Sequence, residues 1–320
     1  MTELRPVRWG LVSTIKADLA DVVNFAAWHL ELGAHRLFLY LDTPHPEAEH
    51  ILKTHPKIWV LVTDEVYWDK RGGRPAMHQP RQSKNARHAY RRAADLDWIT
   101  HIDVDEFLLP RQNISGLLAD MPQDVQCLRI RPIEALDGQL PDGTQPFKAF
   151  HIPQKDRQAA AKACFPNWGA ALSGGFLSHV AGKLFMRTGL KGLQIKIHNV
   201  ILDGVQNPQQ IECPDIELGH FHAGSWEKFL QHYRYRLASG SYRAELKPQS
   251  RQSGALSHYD LFRQIETTEG EAGLRVFYDE LCKATPDLIA RLEKQGLLRF
   301  YDMDFAPLVQ RHFDPDASPT

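Results

Sequence analysis

The chain has 320 residues, 43% hydrophobic and 24% charged, enough apolar material for one large domain or one domain with a helical appendage. Its 38 Lys and Arg against 39 Asp and Glu leave a formal net charge of -1, which excludes the broad basic footprint of a nucleic-acid binder. Cys127, Cys164, Cys213 and Cys282 lie far apart without a C-x-x-C pair, so a disulfide framework or structural zinc is not expected and a reducing compartment is the default. The first ten residues lack an apolar h-region, and no stretch approaches the roughly 18 apolar residues of a membrane helix. A cytoplasmic location is expected, with peripheral contact at the inner face of a membrane left open.

Val7 to Ile15 reads as a first strand. Asp18 is placed to cap a helix from Leu19 to about Leu32, with apolar positions 19, 22, 23, 26 and 30 and a stop at Gly33. Arg36 to Asp42 is a nearly continuous apolar run, the pattern of a strand covered on both faces. Pro46 to Thr54 reads as a short helix, Ile58 to Asp64 as a third strand, and Gly72 and Gly73 mark a loop. A helix from Pro80 to Ala94 then feeds a strand from Trp98 to Asp105. This alternation predicts an α/β fold with a mostly parallel sheet and right-handed crossovers. In such sheets ligands bind beyond the carboxyl ends of the strands, and Ser13, Thr14, Asp42, Asp64, Asp103 and Asp105 all fall at predicted strand ends.

The second half is less regular. Val125 to Ile133 reads as a strand, and Asp137-Gly138 and Asp142-Gly143 as turns. Residues 153–175 combine Lys155, Asp156 and Arg157 with an Ala-rich stretch and Ser173-Gly174-Gly175, the composition of a mobile loop that orders over a ligand. Short strands are expected at Leu184–Arg187, Gln194–His198 and Ile216–His222. From Ser225 the pattern turns helical, over Trp226–Ala238, Leu256–Ile265, Gly273–Lys283 and Pro286–Gln295, and Asp314–Thr320 reads as a frayed tail.

The strongest chemical signal is residues 98–108, Trp-Ile-Thr-His-Ile-Asp-Val-Asp-Glu-Phe-Leu. In a strand, Asp103 and Asp105 share one face while Ile102 and Val104 share the other. Two carboxylates roughly 6–7 Å apart, at an effective dielectric near 20, repel by about 2–3 kcal/mol. A divalent cation turns that repulsion into attraction, and hard oxygen ligands suit Mg²⁺ or Mn²⁺. An isolated D-x-D more often only solvates a strand end. Here the carboxylates interrupt a core segment that resumes as Phe107-Leu108-Leu109.

Ser13-Thr14-Ile15-Lys16, the helix bearing Trp28-His29-Leu30-Glu31-Leu32-Gly33-Ala34, the Arg36–Asp42 run and above all Asp103-Val104-Asp105-Glu106-Phe107-Leu108 resemble a known family. It is the GT-A (Rossmann-like) fold of nucleotide-sugar-dependent glycosyltransferases, in its family-2-like bacterial group with a D-V-D-E-F-L element. The resemblance covers residues 7–110 and extends over 176–236. It implies transfer of a sugar from a nucleoside diphosphate donor to a glycan or other hydroxyl acceptor, as in cell-surface glycan synthesis. It further implies that Asp105, with Asp103, holds Mn²⁺ or Mg²⁺ against the diphosphate. Thr14 and Lys16 would lie near the nucleotide and Asp42 would accept hydrogen bonds from the base or ribose. Gln82-Ser83-Lys84-Asn85 would line the donor pocket, with Arg81 or Lys84 on phosphate, and Lys183 would be a further phosphate cation. The alternative for Arg81, Lys84 and Arg87 is a solvated helix face.

His220 and His222 share a predicted strand face; the resemblance implies that either could be the late histidine that completes the metal shell, and neutral imidazole suits Mn²⁺. Glu134 and Asp137 are the expected positions for the base that an inverting enzyme needs. The family's usual Glu-Asp pair is not visible, which leaves inversion or retention open. The expected organisation is a catalytic domain over 1–224, with a donor-binding half (1–110) and an acceptor half (111–224), then a helical extension over 225–320. A nucleotidyltransferase of similar fold and a non-catalytic nucleotide- or sugar-binding relative are the alternatives. The first would carry a Gly-rich signature after strand one that Gly10–Lys16 lacks, and the intact aspartates speak against the second.

Overall fold

A computed structural model of the chain describes residues 5–140, 142–239, 242 and 257–314. It divides into two compact units, Met1–Arg131 with Ala181–Leu218 and Asp304–Thr320, and Pro132–Val180 with Gly219–Met303. The expected partition at residue 224 coincides with none of these boundaries. Helical residues expected as an extension share a unit with 132–180, while the last described helix returns to the first unit.

In the first unit, strand and helix alternate as the apolar periodicity requires: β1 (Trp9–Ile15), α1 (Leu19–Glu31), β2 (Arg36–Leu41), α2 (Pro46–Lys53), β3 (Ile58–Val62), α3 (Glu65–Asp69), α4 (His78–Tyr90) and β4 (Trp98–His101). Strands β3, β2, β1 and β4 lie side by side and parallel, with Gly10 opposite Arg36 and Trp9 opposite Trp98. The order reverses between β1 and β4, the switch point where open parallel sheets leave a crevice for ligands. β2 is buried at every residue after Arg36, as its unbroken apolar run requires.

After β4 come β5 (Glu106–Pro110), α5 (Ile114–Ala119), β6 (Cys127–Ala135), β7 (Gln145–Lys148), α6 (Gln154–Cys164) and β8 (Lys183–Arg187). β8 runs antiparallel to β4, and the start of β6 antiparallel to β8. β9 (Gln194–Ile195), β10 (Val200–Leu202) and β11 (Val205–Gln206) make a small separate sheet, and β12 (Gln210–His220) pairs with β5. In the second unit, β7 pairs with the end of β6 and with β13 (Leu298–Tyr301). Its helices are α6, α7 (Trp226–Ser239), α8 (His258–Cys282), which breaks at Gly270 (φ +62°), and α9 (Pro286–Lys294). α10 (Ala306–Phe313) ends the described chain. No helix among the described residues is long and apolar enough to cross a membrane.

Two local expectations need correction. β4 ends at His101, so Asp103 and Asp105 do not alternate along a strand; they occupy the tight connection to β5. Residues 154–164 form a helix where a mobile loop was expected. Pro153 precedes Gln-Lys-Asp-Arg-Gln-Ala-Ala-Ala-Lys-Ala-Cys, nearly all strong helix formers, and Ala160, Ala161 and Cys164 are buried. The expected tail beyond Asp314 and the expected helix start at Leu256 lie outside the described residues.

α1 anchors the strand that follows the acidic connection. Its buried face carries Val22, Phe25, Ala26, His29 and Leu30. His29 Nδ1 donates to the Phe25 carbonyl (2.8 Å), which leaves Nε2 as the acceptor for the Leu108 amide (3.3 Å), and the ring stacks on Phe107. Trp28 Nε1 donates to the Leu108 carbonyl (2.8 Å), and Phe305, just before α10, packs on both Phe107 and Trp28.

Burial pushes the His29 pKa down to about 3, so the folded ring stays neutral where the unfolded ring takes a proton near pH 6.5. Between those values the unfolded chain binds the extra proton, so this ring's contribution to stability falls as pH drops from about 6.5 towards 3. The expected loss from His29 is about 2 kcal/mol at pH 5 relative to pH 7. Urea unfolding of wild type and His29→Gln at both pH values checks it: the variant should show a shallower pH dependence, and equal slopes would refute the assignment.

Candidate active site

The first part of α4 reaches the carboxyl ends of three parallel strands and ties each one down. Arg81 reaches the end of β2, while Gln82 and Asn85, three apart and so neighbours on the helix surface, reach the ends of β4 and β1. Arg81 grips the Asp42 carboxylate with Nε and Nη2 (3.0 and 2.9 Å), while its Nη1 serves the Pro75 and Ala76 carbonyls. Arg74 adds a second guanidinium to Asp42 (3.1 Å), which is 5% exposed. Asp42 and Arg81, expected as separate donor contacts, are therefore each other's partners. Asn85 donates to Thr14 Oγ1 (3.0 Å) and accepts from the Tyr67 hydroxyl (2.7 Å). Lys84 reaches the Arg71 carbonyl (3.3 Å), and Lys16 stands exposed past the end of β1.

The third tie is the acidic connection. Gln82 Nε2 donates to Asp103 Oδ1 (2.5 Å), and Lys183 Nζ donates to Asp103 Oδ2 (2.7 Å). The same ammonium lies 3.2 Å from Glu106 Oε2, which also accepts from the Asp103 amide (2.8 Å). Lys183 and Glu106 are wholly buried, whereas the Asp103 side chain keeps 27% of its exposure and Asp105 is partly exposed. Burial alone would strip the charge from Lys183, but Asp103 and Glu106 outweigh it and hold its pKa above the ordinary lysine value. Lys183, expected on a donor phosphate, is thus the built-in counter-ion of the acidic turn. His101, just upstream, is fully buried; burial first, then the Lys183 charge, lower its pKa to about 4, so it is neutral at pH 7.

Two residues outside the expected set fix Lys183. Gly182 has φ +71°, and a Cβ there would stand 1.9 Å from the Ile130 carbonyl oxygen, so only glycine lets β8 start against β6. Arg129, 4% exposed, donates to the carbonyls of Ala181 (3.2 Å) and His198 (2.6 Å) and to Asn199 Oδ1 (2.9 Å), clamping the approach to β8. No sequence signal marked either residue. Gln82 was expected to line the donor pocket and Glu106 to stand beside the aspartates, but nothing in the spacing pairs Gln82 with Asp103 or Glu106 with Lys183.

The remaining expected residues lie in the second unit. Glu134 is 3% exposed and accepts from the amides of Leu177 (3.2 Å) and Ser178 (2.7 Å), with Lys148 Nζ at 3.1 Å. Burial would raise its pKa, but Lys148 and the Ser178 donors outweigh it and hold it below the ordinary value. The Asp137 amide donates to the Cys282 carbonyl and its carbonyl accepts from Ala284, so its backbone links β6 to the end of α8. His222 Nε2 lies 2.6 Å from the Tyr242 hydroxyl, and burial holds its pKa well below the ordinary value. The His220 ring lies beside both His222 (5.1 Å between centroids) and His179 (6.1 Å).

Removing the ammonium leaves two carboxylates uncompensated, so Lys183→Met is expected to lose about 3–5 kcal/mol of unfolding free energy. Gly182→Ala should lose about 2–4 kcal/mol from strain and the carbonyl clash alone. Urea titrations of both variants check these values, and a wild-type midpoint in either would contradict the corresponding contact.

No family model matches the chain. A glycosyltransferase-like protein of Arabidopsis thaliana is 22% identical over 209 residues, covering 57% of this chain and 46% of its own length. The chain therefore spans about half the length of that curated relative. Among solved structures, the galactosyltransferase LgtC with donor and acceptor sugar analogues aligns at 13% identity over 55% of this chain and 57% of its own, with a TM-score of 0.26. HddC from Yersinia pseudotuberculosis aligns at 8% identity over 42% and 66%, with a TM-score of 0.27. Structural likenesses of that size carry no weight for function.

Proposed function

We propose that the chain is a metal-dependent glycosyltransferase that moves a sugar from a nucleoside diphosphate donor to an acceptor hydroxyl, in the synthesis of a cell-surface glycan. The observation that carries this reading is the acidic connection at the β1/β4 switch point, with Asp105 partly exposed beside an Asp103 already neutralised by Lys183. The D-V-D-E-F-L resemblance and the name of the Arabidopsis relative support it.

The residues fit Mn²⁺ or Mg²⁺ through one carboxylate more readily than two. Both oxygens of Asp103 already accept strong hydrogen bonds, one of them from an ammonium. A dication about 4 Å from that ammonium would be repelled by about 8 kcal/mol at an effective dielectric near 20. Asp105 is therefore the metal ligand in this reading, and Asp103 a positioning residue that holds the turn. The bound ion would neutralise charge developing on the leaving diphosphate. The chain's own groups do the rest. Thr14 and Lys16 border the crevice at the end of β1, Lys16 bringing a mobile cation to the nucleotide. α4, locked at Arg81, Gln82 and Asn85, supplies a wall that need not reorganise when donor arrives.

Thermal-shift measurements with UDP, GDP, CDP and TDP, each with and without Mn²⁺, test the reading. One diphosphate should raise the melting temperature only when metal is present. Asp105→Asn should remove that metal-dependent rise while leaving the unliganded melting point unchanged or higher. A chain that responds to no diphosphate in any metal would sink the proposal.

A further inference from the structure

At the far end of α4, about 13 Å along its axis from Gln82, the first unit holds a second concavity on the opposite edge of the parallel sheet. This cleft of about 410 Å³ is bounded by Arg87, Tyr90 and Arg91 from α4 and by Leu190, Lys191 and Gln194 from the segment after β8. Three cations converge on it and no carboxylate lines it. Among the described residues none of the three makes an ion pair. Arg87 Nε is buried without an acceptor, although buried donors are almost always satisfied.

The walls are fixed in place. The Tyr90 hydroxyl donates to the Arg187 carbonyl (2.8 Å) and accepts from the Leu190 amide (3.0 Å), pinning the loop that turns at Gly189 and Gly192 (φ +78° and +82°). Arg187 stacks on Trp98 and donates to the Val125 carbonyl (2.7 Å). The negative end of the helix dipole accounts for cations in the last turn of α4, where Arg87 and Arg91 sit. It does not account for Lys191, which arrives from another element, nor for the missing acceptor at Arg87 Nε. In a chain of net charge -1, such a local excess is not general basicity.

We propose that this cleft is a phosphoryl-binding site, separate from the acidic turn, that takes the phosphate of a small soluble ester or of a phospholipid headgroup. Oxyanion oxygens would draw the Arg87, Arg91 and Lys191 charges that line the cleft onto one ligand. The proposal is independent of the glycosyltransferase reading.

Calorimetric titration of the full chain with pyrophosphate, at low salt and in EDTA, silences any metal-dependent site and reads this one. Saturable binding is expected, weakening as salt is added. It should weaken about tenfold or more in Arg87→Gln/Arg91→Gln and, independently, in Lys191→Glu on the opposite wall. A sedimentation arm compares phosphatidylcholine vesicles with and without phosphatidic acid. Charge-dependent vesicle binding lost in the same variants assigns the lipid source, and pyrophosphate binding alone assigns a soluble ester. Binding of neither probe, or binding undiminished by both sets of substitutions, overturns the site.

Discussion

A lysine ammonium with no access to water, shared between Asp103 and Glu106, is the constraint around which the first unit is arranged. An isolated buried charge costs several kcal/mol, so Lys183 is tolerable only while both carboxylates stay within hydrogen-bond reach. That requirement fixes three chain segments at once: the end of β4, the start of β5 and the start of β8. It also explains an otherwise awkward backbone. Gly182 adopts a conformation that other residues rarely take, directly before the lysine, because β8 must begin hard against β6 for the ammonium to arrive. Such an ion pair adds little net stability over an apolar replacement. It does penalise any register other than this one.

α4 complements that constraint from the opposite side. Its arginine, glutamine and asparagine fasten three strand ends through charged or amide hydrogen bonds, and its Ala86 and Ala89 pack on the sheet beneath. The side chains best suited to greet a ligand are largely committed to one another. Asp105 is partly exposed and Lys16 exposed at the edge of the crevice.

The parallel half of the fold was legible because its signals are local. The apolar run of β2, the periodicity of α1 and the placement of polar residues at strand ends all follow from spacing along the chain. What escaped was long-range. The mutual pairing of Asp42 with Arg81 joins residues 39 apart, and Lys183 meets Asp103 across 80 residues. In both cases each charged residue was marked for a ligand, and nothing in the spacing showed that the two pair with each other. The acidic motif misled differently: apolar residues on both sides of it suggested one strand, whereas the chain turns at Val104-Asp105 and the second apolar run is β5. Residues 154–164 show composition overruling impression, since the alanines that read as loop filler are the residues that make α6 a helix.

The return of the last described helix to the first unit bears on how this protein can be cut. Phe305 covers Phe107 and Trp28, and Arg311 and His312 both reach Glu31 at the end of α1. A shortened version stopping at Met303 looks harmless on paper, because it spares every strand of the parallel sheet. It would nonetheless bare aromatic surface beside the strand that trails the acidic turn, inviting self-association. Truncations made for crystallisation should therefore keep the chain through Asp314.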